Sequence, residues 1–203
     1  MEYMRLIGLT GSIGTGKSTV SKMLSERGIE VIDADAISRR ISEVGNEGYN
    51  KIVELFGKGV LGDDKSLDRK KIGSIVFSNR AELKRLNDAM HPIIVREIEK
   101  RVKELDMDGH DIAVLDAPLL IETGLNESVD FVLLIVCSEE IQLDRIQKRD
   151  GLDRKQAEGR IRNQMEQDAK REYADYVIDN SKDIHSLEDE VEKFLEYYGG
   201  FGS

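Results

Sequence analysis

The sequence predicts an α/β protein of three layers, in which helices cover both faces of a five-stranded parallel sheet. The first observation is a series of short, continuous apolar runs rich in β-branched residues, which suit strands that are buried on both faces. The second is that amphipathic, helix-like stretches separate these runs, and such alternation is typical of a parallel sheet. The third is a glycine-rich segment directly between the first predicted strand and the first predicted helix.

Five apolar runs predict the strands, which are in chain order 5–10, 29–33, 112–116, 131–136 and 176–178. The helices predicted for the core are 19–26, 139–149, 154–168 and 187–198. In the last of them, Leu187, Val191 and Phe194 fall on one helical stripe, which indicates a face that packs on the sheet. The glycine-rich end of the chain, 199–203, is expected to be a flexible tail.

The long interval between the second and third predicted strands contains no strand-like run. Three segments of it have helical patterns, namely 49–56, 70–77 and 80–103. We therefore predict an all-helical insertion over 41–109, within a core domain that consists of 1–40 and 110–203. A second, smaller helical segment at about 145–170 predicts a lid on the core domain.

Composition excludes several classes of protein. The 203 residues carry a formal net charge of −10, which opposes general binding to nucleic acid or to anionic membranes, so we expect neither as a partner. The longest apolar run, 131–137, is too short to cross a bilayer, and the N-terminus lacks a signal-peptide pattern. The single cysteine, Cys137, cannot form an internal disulfide, and we expect it to be a small buried hydrophobe. We therefore expect a cytoplasmic protein.

The glycine-rich segment matches the phosphate-binding pattern G-x-x-x-x-G-K-[ST], the P-loop, in the strand–loop–helix context that this motif requires. Its glycines let backbone N–H groups converge on phosphate oxygens, and the dipole of the next helix favours negative charge there. Lys17 is expected to bridge the β- and γ-phosphates of ATP, and the Ser18 hydroxyl to ligate Mg²⁺. The residues predicted to bind the nucleotide are Gly11, Ser12, Ile13, Gly14, Thr15, Gly16, Lys17, Ser18 and Thr19.

Carboxylates follow the second and third predicted strands. Asp33 and Asp35 end a strand that we expect beside the first one, at the edge where such sheets bind ligands. Asp33 is a candidate to accept the proton of an attacking hydroxyl, and Asp35 to hold the acceptor; the alternative is that they cap the next helix, a role that suits Asp35. Asp116 is a candidate for the shell of the magnesium ion, with a strand-terminal turn as the alternative.

Basic residues outnumber acidic ones in the predicted lid. Arg145 and Arg149 are four residues apart and share a helix face, before Gly151 breaks the helix. The planar guanidinium can bind phosphate oxygens bidentately, so we expect Arg145 to bind the nucleotide and Arg149 to act in catalysis. A solvated face with salt bridges is the alternative for most of these residues. The lid arginines whose roles could exchange are Arg145, Arg149, Arg154, Arg160 and Arg162.

Missing motifs argue against other chemistries. A switch GTPase would show an Asn-Lys-x-Asp or Thr-Lys-x-Asp motif, and a triad esterase a G-x-S-x-G elbow, and the sequence has neither. Metal hydrolase chemistry needs clustered histidines or cysteines, whereas His91, His110 and His185 are scattered along the chain. The P-loop alone leaves the reaction and the acceptor open.

The combination of these motifs, in this order, closely resembles the dephospho-coenzyme A kinase family. The resemblance runs from about residue 6 to about residue 194 and, besides the P-loop and the Asp33–Asp35 pair, rests on Leu67-Asp68-Arg69, Gly73, Val76-Phe77, His91-Pro92, Asp116 to Glu122 and Ala174 to Ser181. The chain departs from the family at Ser12, where Gly is usual, and at Ile121, where Phe is common. It also has Met165-Glu166 where Met-Pro is usual, a departure that could change how the lid hinges.

The resemblance implies ATP- and Mg²⁺-dependent phosphorylation of the ribose 3′-hydroxyl of dephospho-coenzyme A, the final step of coenzyme A biosynthesis. It implies that the helical insertion binds the acceptor and that Asn180 lies near the adenine. The residues implied to bind the acceptor, besides Asp35, are Arg39, His91, Pro118, Leu119, Leu120 and Glu122. His91 could instead anchor a helix start before Pro92.

Two alternatives stay open beside this resemblance. One is another P-loop small-molecule kinase, similar to shikimate kinase, although the Gly-Gly-Gly stretch expected of such an enzyme is absent. The other is a regulatory P-loop ATPase that binds a protein partner, against which the acceptor-sized insertion argues. We expect a monomer, with weak oligomerisation left open, and the sequence leaves the preferred nucleoside triphosphate undecided.

Overall fold

The computed structural model describes residues 4–199, apart from the side chain of Phe77. The chain divides into two compact units: a core unit, which runs to Ile32 and resumes at Leu105, and a helical unit, Asp33–Glu104. The sequence analysis predicts the insertion at 41–109, so the helical unit begins several residues earlier and also ends earlier. Of the predicted tail, residues 200–203 lie outside the described part of the chain.

A five-stranded sheet forms the centre of the core unit. Its strands are β1 (Arg5–Thr10), β2 (Glu30–Asp33), β3 (Ile112–Asp116), β4 (Phe131–Val136) and β5 (Tyr176–Asp179). The strand order is β2-β3-β1-β4-β5, and β1 pairs in parallel with β3 and β4, with Ile7 opposite Val114 and Phe131. The predicted fold class is confirmed. The expectation that β2 lies beside β1 is wrong, because the crossover through the first helix skips one position and β3 fills it.

The helices are α1 (Lys17–Glu26), α2 (Ala34–Ile41), α3 (Glu47–Phe56), α4 (Arg69–Ser78), α5 (Arg80–Met107), α6 (Glu139–Asp150), α7 (Arg154–Arg162), α8 (Gln167–Arg171) and α9 (Ile184–Gly199). Gly151 ends α6 in the left-handed region, at φ 66°, as predicted. The single helix predicted over 154–168 is wrong, because α7 and α8 are separate. Residues 163–166 connect them, and the polar groups there bond to other parts of the core unit instead of continuing the helix.

Packing of α1 and α9 against the sheet makes the main hydrophobic core. Val191 and Phe194 of α9 are fully buried, which confirms the predicted apolar face of that helix. Phe131 of β4 meets Tyr198 edge-on, with ring centroids 5.0 Å apart. Cys137 is buried and free, as expected of a small core residue. Within residues 4–199, no helix has the length and apolar character that spanning a membrane requires.

The helical unit contains α2 to α5 up to Glu104, one short 3₁₀ helix (Lys58–Val60) and a single isolated bridge between Leu61 and Leu67. This observation confirms that the insertion is helical. Asp68 caps α4 by accepting the backbone N–H groups of Lys70 and Lys71, and these bonds hold the pKa of its carboxyl below the ordinary value. The alternative that His91 precedes a helix start is wrong, since α5 runs through Pro92.

Candidate active site

The loop between β1 and α1 has a backbone that only glycine adopts readily. Gly14 and Gly16 have φ of +82° and +90°, in the left-handed region where a side chain is strained. At Gly16 a Cβ atom would also collide with the side-chain amide of Asn180. The glycines of the motif are therefore required by the shape of the loop and by the close approach of Asn180.

A cavity of about 440 Å³ opens over this loop, within the core unit. Its lining residues are Gly11, Ser12, Ile13, Gly14, Gly16, Lys17, Ser18, Pro118, Arg145, Arg149 and Gln164. Thr15, also predicted to bind the nucleotide, is instead buried beneath the loop, where its hydroxyl donates to the carbonyl of Ser12 at 2.8 Å. Thr19 lies in the first turn of α1, half-buried. Lys17 and two arginines give the cavity the positive charge that a polyphosphate requires.

Lys17, which lines this cavity, forms an ion pair with Asp116. Lys17 is the first residue of α1 and Asp116 the last of β3, and the two side chains are each only 14% exposed. The pair forms because β3 is the direct neighbour of β1, so the end of β3 lies beside the P-loop. The Asp116 carboxylate is therefore in direct contact with Lys17 of the P-loop.

The donors available for a magnesium ion are few. Among residues 4–199, no group of three or more His, Cys, Asp or Glu side chains could hold a metal. The exposed Ser18 hydroxyl and the Asp116 carboxylate are both oxygen donors, which hard cations prefer. Mg²⁺ usually keeps several waters and takes phosphate oxygens, so this small donor set fits it.

Arg145 is held against the P-loop by backbone carbonyls. Its guanidinium donates to the carbonyls of Thr15 at 3.3 Å and of Asn180 at 3.1 Å. The side-chain amide of the buried Asn180 also donates to Thr15, at 2.8 Å. The structure thus brings together Arg145, Asn180 and the loop, three parts of the site that were predicted separately.

Arg149 lines the cavity and is held by its neighbour Asp150. Its guanidinium donates to both carboxylate oxygens of Asp150, at 2.8 and 2.9 Å, and Arg160 pairs with the same carboxylate. These contacts hold the pKa of Asp150 below its ordinary value, chiefly through the hydrogen bonds from Arg149. Arg154 pairs with Glu140 and Glu158 away from the cavity lining, as the alternative of a salt-bridged face predicts. Arg162 also lies outside the cavity lining and approaches Glu158 at 3.7 Å.

The loop after β3 is fixed by a buried lysine. Lys170 of α8 is fully buried, and its ammonium group contacts the two carboxylate oxygens of Glu122 at 2.8 and 3.0 Å. It also donates to the carbonyl of Pro118 at 3.1 Å, while Glu122 accepts the N–H of Met165 at 3.2 Å. Glu122, predicted to contact the acceptor, is therefore already engaged within the core unit.

The two leucines of this loop have different environments. Leu120 is fully buried, and Leu119 is 43% exposed. Of these two residues predicted to contact the acceptor, only Leu119 presents its side chain to solvent. Leu120 contributes to the apolar interior of the core unit.

In the helical unit, Asp33 and not Asp35 caps α2. The Asp33 carboxylate accepts the N–H of Ala36 at 2.8 Å, and its other oxygen lies 3.5 Å from Arg39. The Asp33 and Arg39 side chains are 53% and 56% exposed, and Asp35 is exposed as well. His91 is half-buried in the interior of α5.

Sequence reasoning missed four polar residues that hold the cavity together: Gln142, Gln164, Gln167 and Lys170. A signal existed for Gln142, which lies four residues before the buried Ile146 and so shares the inner face of α6. None existed for Lys170, because a lysine among charged neighbours is normally exposed. Gln164 and Gln167 were hidden by the mistaken helix over 154–168.

A P-loop at the carboxyl edge of a parallel sheet, a lysine–aspartate pair that includes the P-loop lysine and two arginines that line the cavity define a phosphoryl-transfer enzyme of the P-loop kinase type. The model of the dephospho-CoA kinase family matches residues 5–186 of this chain. The dephospho-CoA kinase of Carboxydothermus hydrogenoformans is 44% identical over 97% of this chain and 95% of that protein.

Solved structures agree with this match. The crystal structure of TT1252 from Thermus thermophilus has a TM-score of 0.83 and 32% identity, covering 96% of this chain and 98% of that one. The dephospho-CoA kinase from Campylobacter jejuni has a TM-score of 0.70 and 30% identity, covering 98% of each chain. The chain belongs to the dephospho-CoA kinase family, which decides against both alternatives, another family of small-molecule kinases and a regulatory ATPase.

Proposed function

We propose that this protein transfers the γ-phosphoryl group of ATP to the ribose 3′-hydroxyl of dephospho-coenzyme A, giving coenzyme A and ADP. The observation that carries the proposal is the cationic cavity over the P-loop, in a chain that belongs to this family throughout its core. Phosphoryl transfer depends mainly on positioning and on stabilising charge, which is what such a cavity provides.

The nucleotide phosphates occupy the cavity over the P-loop. Loop N–H groups and Lys17 bind their oxygens, and nucleotide binding therefore breaks or shares the contact between Lys17 and Asp116. Arg149 lines the cavity, and its ion pair with Asp150 orients the guanidinium. It can therefore stabilise the negative charge that develops on the transferred phosphoryl group. Arg145 and Asn180, which pack against the base of the loop, bind the nucleoside end.

Ser18 and Asp116 would hold Mg²⁺, which would supply positive charge against the phosphate oxygens. Asp116 then has two partners available, Lys17 in the free enzyme and the metal in the complex. Asp116 therefore keeps a compensating charge in both states.

Asp33 orients the acceptor hydroxyl and accepts its proton. What supports this role is its position as the last residue of β2, together with a half-exposed carboxylate. One oxygen is used as the cap of α2, and the other is only weakly engaged by Arg39, at 3.5 Å. A positioned general base of this kind contributes roughly 10²–10⁴-fold to the rate. Asp35, Arg39, His91 and Leu119 bind the acceptor.

The test is ADP release from ATP and Mg²⁺ with dephospho-coenzyme A, and separately with shikimate and with adenosine. We expect turnover with dephospho-coenzyme A alone, and mass spectrometry of the product should locate the added phosphate on the ribose 3′ position. If folded protein that binds ATP gives no turnover with this acceptor, the proposal is wrong.

A further inference from the structure

Both polar groups of the Ile13 residue in the P-loop are held by glutamine side chains of the lid region. The Ile13 N–H donates to Oε1 of Gln164 at 2.7 Å, and the Ile13 carbonyl accepts from Nε2 of Gln142 at 2.6 Å. Only the oxygen of a carboxamide can accept from an N–H group, so the first bond fixes which way the Gln164 amide is turned. Its NH₂ group is consequently on the side away from Ile13.

Gln164 contributes a carboxamide, with its NH₂ donor, to the residues around the phosphate cavity. Gln164 lines that cavity together with Lys17 and Arg149, and it is only half-buried. Its Oε1 atom accepts the Ile13 N–H, and among the hydrogen bonds of residues 4–199 none has its Nε2 atom as donor. A donor that is fixed in direction and left without an acceptor, beside two cations, suits an anionic ligand.

We infer that Gln164 donates a side-chain N–H to a phosphate oxygen of the bound nucleotide. The inference rests on the proposed function only in that the cavity over the P-loop holds the phosphates. It adds a neutral donor from the α7–α8 connection to a site otherwise built from backbone amides and cations. A single carboxamide would then connect the P-loop with the ligand, since its oxygen accepts from Ile13 and its nitrogen donates to the phosphate.

The part of the P-loop that Gln164 contacts is held in place before any ligand arrives. The buried Gln142 accepts from Nε2 of Gln167 at 3.1 Å, and Gln167 in turn accepts the N–H of Cys137 at 3.0 Å. The Ile13 side chain packs against the apolar cluster between α6 and α7. Because these contacts already order the loop and its glutamines, the Gln164 donor would lose little conformational entropy when it binds phosphate.

The competing explanation is that Gln164 only anchors the loop, and two variants together separate the roles: Gln164→Glu, which keeps the anchor, and Gln164→Met, which removes the donor without adding charge. The introduced carboxylate still accepts the Ile13 N–H, but it presents an anionic oxygen to the phosphates instead of a donor. Gln156→Glu is the matched control, since Gln156 also accepts a backbone N–H, that of Asp153 at 3.1 Å, yet is exposed on α7 and outside the cavity lining.

The measurement is the Kd of the β,γ-imido analogue of ATP with Mg²⁺, by titration calorimetry without acceptor. At about pH 8 we expect Gln164→Glu to weaken binding at least about tenfold relative to Gln156→Glu, as the loss of a hydrogen bond to a charged group does. The ratio of the two Kd values should shrink at about pH 5, because the introduced carboxyl, with an ordinary pKa of about 4.3 that nearby phosphates raise, then regains a proton to donate.

Equal Kd values for Gln164→Glu and Gln156→Glu at about pH 8 would overturn the inference. Gln164→Met is measured beside it: a loss of affinity at an unchanged Tm supports the donor, because loss of the loop anchor would also lower the Tm, and an unchanged Kd overturns the inference. Failure of the proposed function would give a different result. The wild-type protein would then bind the ATP analogue in this titration but would not transfer phosphate from ATP to dephospho-coenzyme A.

Discussion

The cavity over the P-loop in the core unit and the residues of the helical unit that we propose to bind the acceptor differ in how far their side chains are already fixed. Lys17 and Asp116 are each 14% exposed and paired with one another. Asp33 and Arg39 are 53% and 56% exposed and meet only at 3.5 Å. The proposed nucleotide site is thus assembled within one unit, whereas the proposed acceptor residues are loosely held groups that a ligand would have to order.

This difference predicts two kinds of mutational effect. Groups that are buried and bonded contribute to both stability and nucleotide binding, because removing one leaves its partner unpaired. Exposed groups contribute little to stability, so their substitution should change only the steps that involve the acceptor.

The largest effect is expected for Asp33→Asn. Loss of the general base should lower turnover with dephospho-coenzyme A by roughly 10²–10⁴-fold, with ATP affinity within about twofold of the wild type. Steady-state kinetics and calorimetry of the same preparation give both values. Asp88→Asn, which removes an exposed carboxylate paired with Lys84 on α5, is the control and should leave turnover and ATP affinity unchanged. Near-normal turnover of Asp33→Asn would show that Asp33 is not the base.

Lys170→Met tests the buried side of the comparison. It leaves Glu122 without its cation in a largely buried position, so we expect the free energy of unfolding to fall by about 3 kcal/mol. Chemical denaturation followed by circular dichroism measures this change. The double variant Lys170→Met/Glu122→Gln should recover part of the loss, because no charge is then left unpaired.

The matched control for Lys170→Met is Lys84→Met in the helical unit. Lys84 pairs with Asp88, but the two side chains are 75% and 62% exposed. Its substitution should change the free energy of unfolding by less than about 1 kcal/mol. Equal losses in the free energy of unfolding for Lys170→Met and Lys84→Met would show that the two regions do not differ in this way.

Arg39→Ala tests the prediction that exposed groups affect only the steps that involve the acceptor. Removing a guanidinium that binds the acceptor should raise the KM for dephospho-coenzyme A about tenfold, as a hydrogen bond to a charged group would. The Tm and the Kd for ATP should stay as in the wild type. Arg85→Ala, which removes an exposed arginine that pairs with Glu82 on α5, serves as the control. An unchanged KM would remove Arg39 from the acceptor site.

The smallest effect concerns Cys137, which lies behind the P-loop with its Sγ atom 3.9 Å from the carbonyl of Gly14. Burial raises the pKa of this thiol, so the reactive thiolate is scarce at neutral pH. Alkylation by iodoacetamide, followed by mass spectrometry, should be slow at about pH 7.5 and rise on denaturation or at alkaline pH. A rate equal to that of an exposed cysteine would show that the wall behind the loop opens readily.

Sequence analysis predicted what short segments encode. The glycine-rich motif lies within eight consecutive residues, 11–18, and each strand is a continuous apolar run, so the strands and the loop between β1 and α1 are found where they were predicted. The contacts that organise the cavity join residues far apart in sequence. Gln164 and Ile13 are 151 positions apart, and Lys170 and Glu122 are 48 apart.

The same reason explains the predictions that failed. Local propensity favours one helix over 154–168, but the bonds that Gln164 and Met165 make elsewhere in the core unit replace its middle turn. The position of β3 between β1 and β2 is a property of the crossover connections, which no single strand encodes. Asp33 and not Asp35 caps α2 because α2 begins at Ala34, directly after the strand.

The central claim is that the core unit forms the nucleotide site without help from the acceptor. The most direct test is calorimetric titration of the β,γ-imido analogue of ATP, with Mg²⁺, into the wild-type protein and into Asp33→Asn, in the absence of dephospho-coenzyme A. We expect saturable binding with the same Kd, within about twofold, for both proteins. Binding that appears only when dephospho-coenzyme A is present would contradict it.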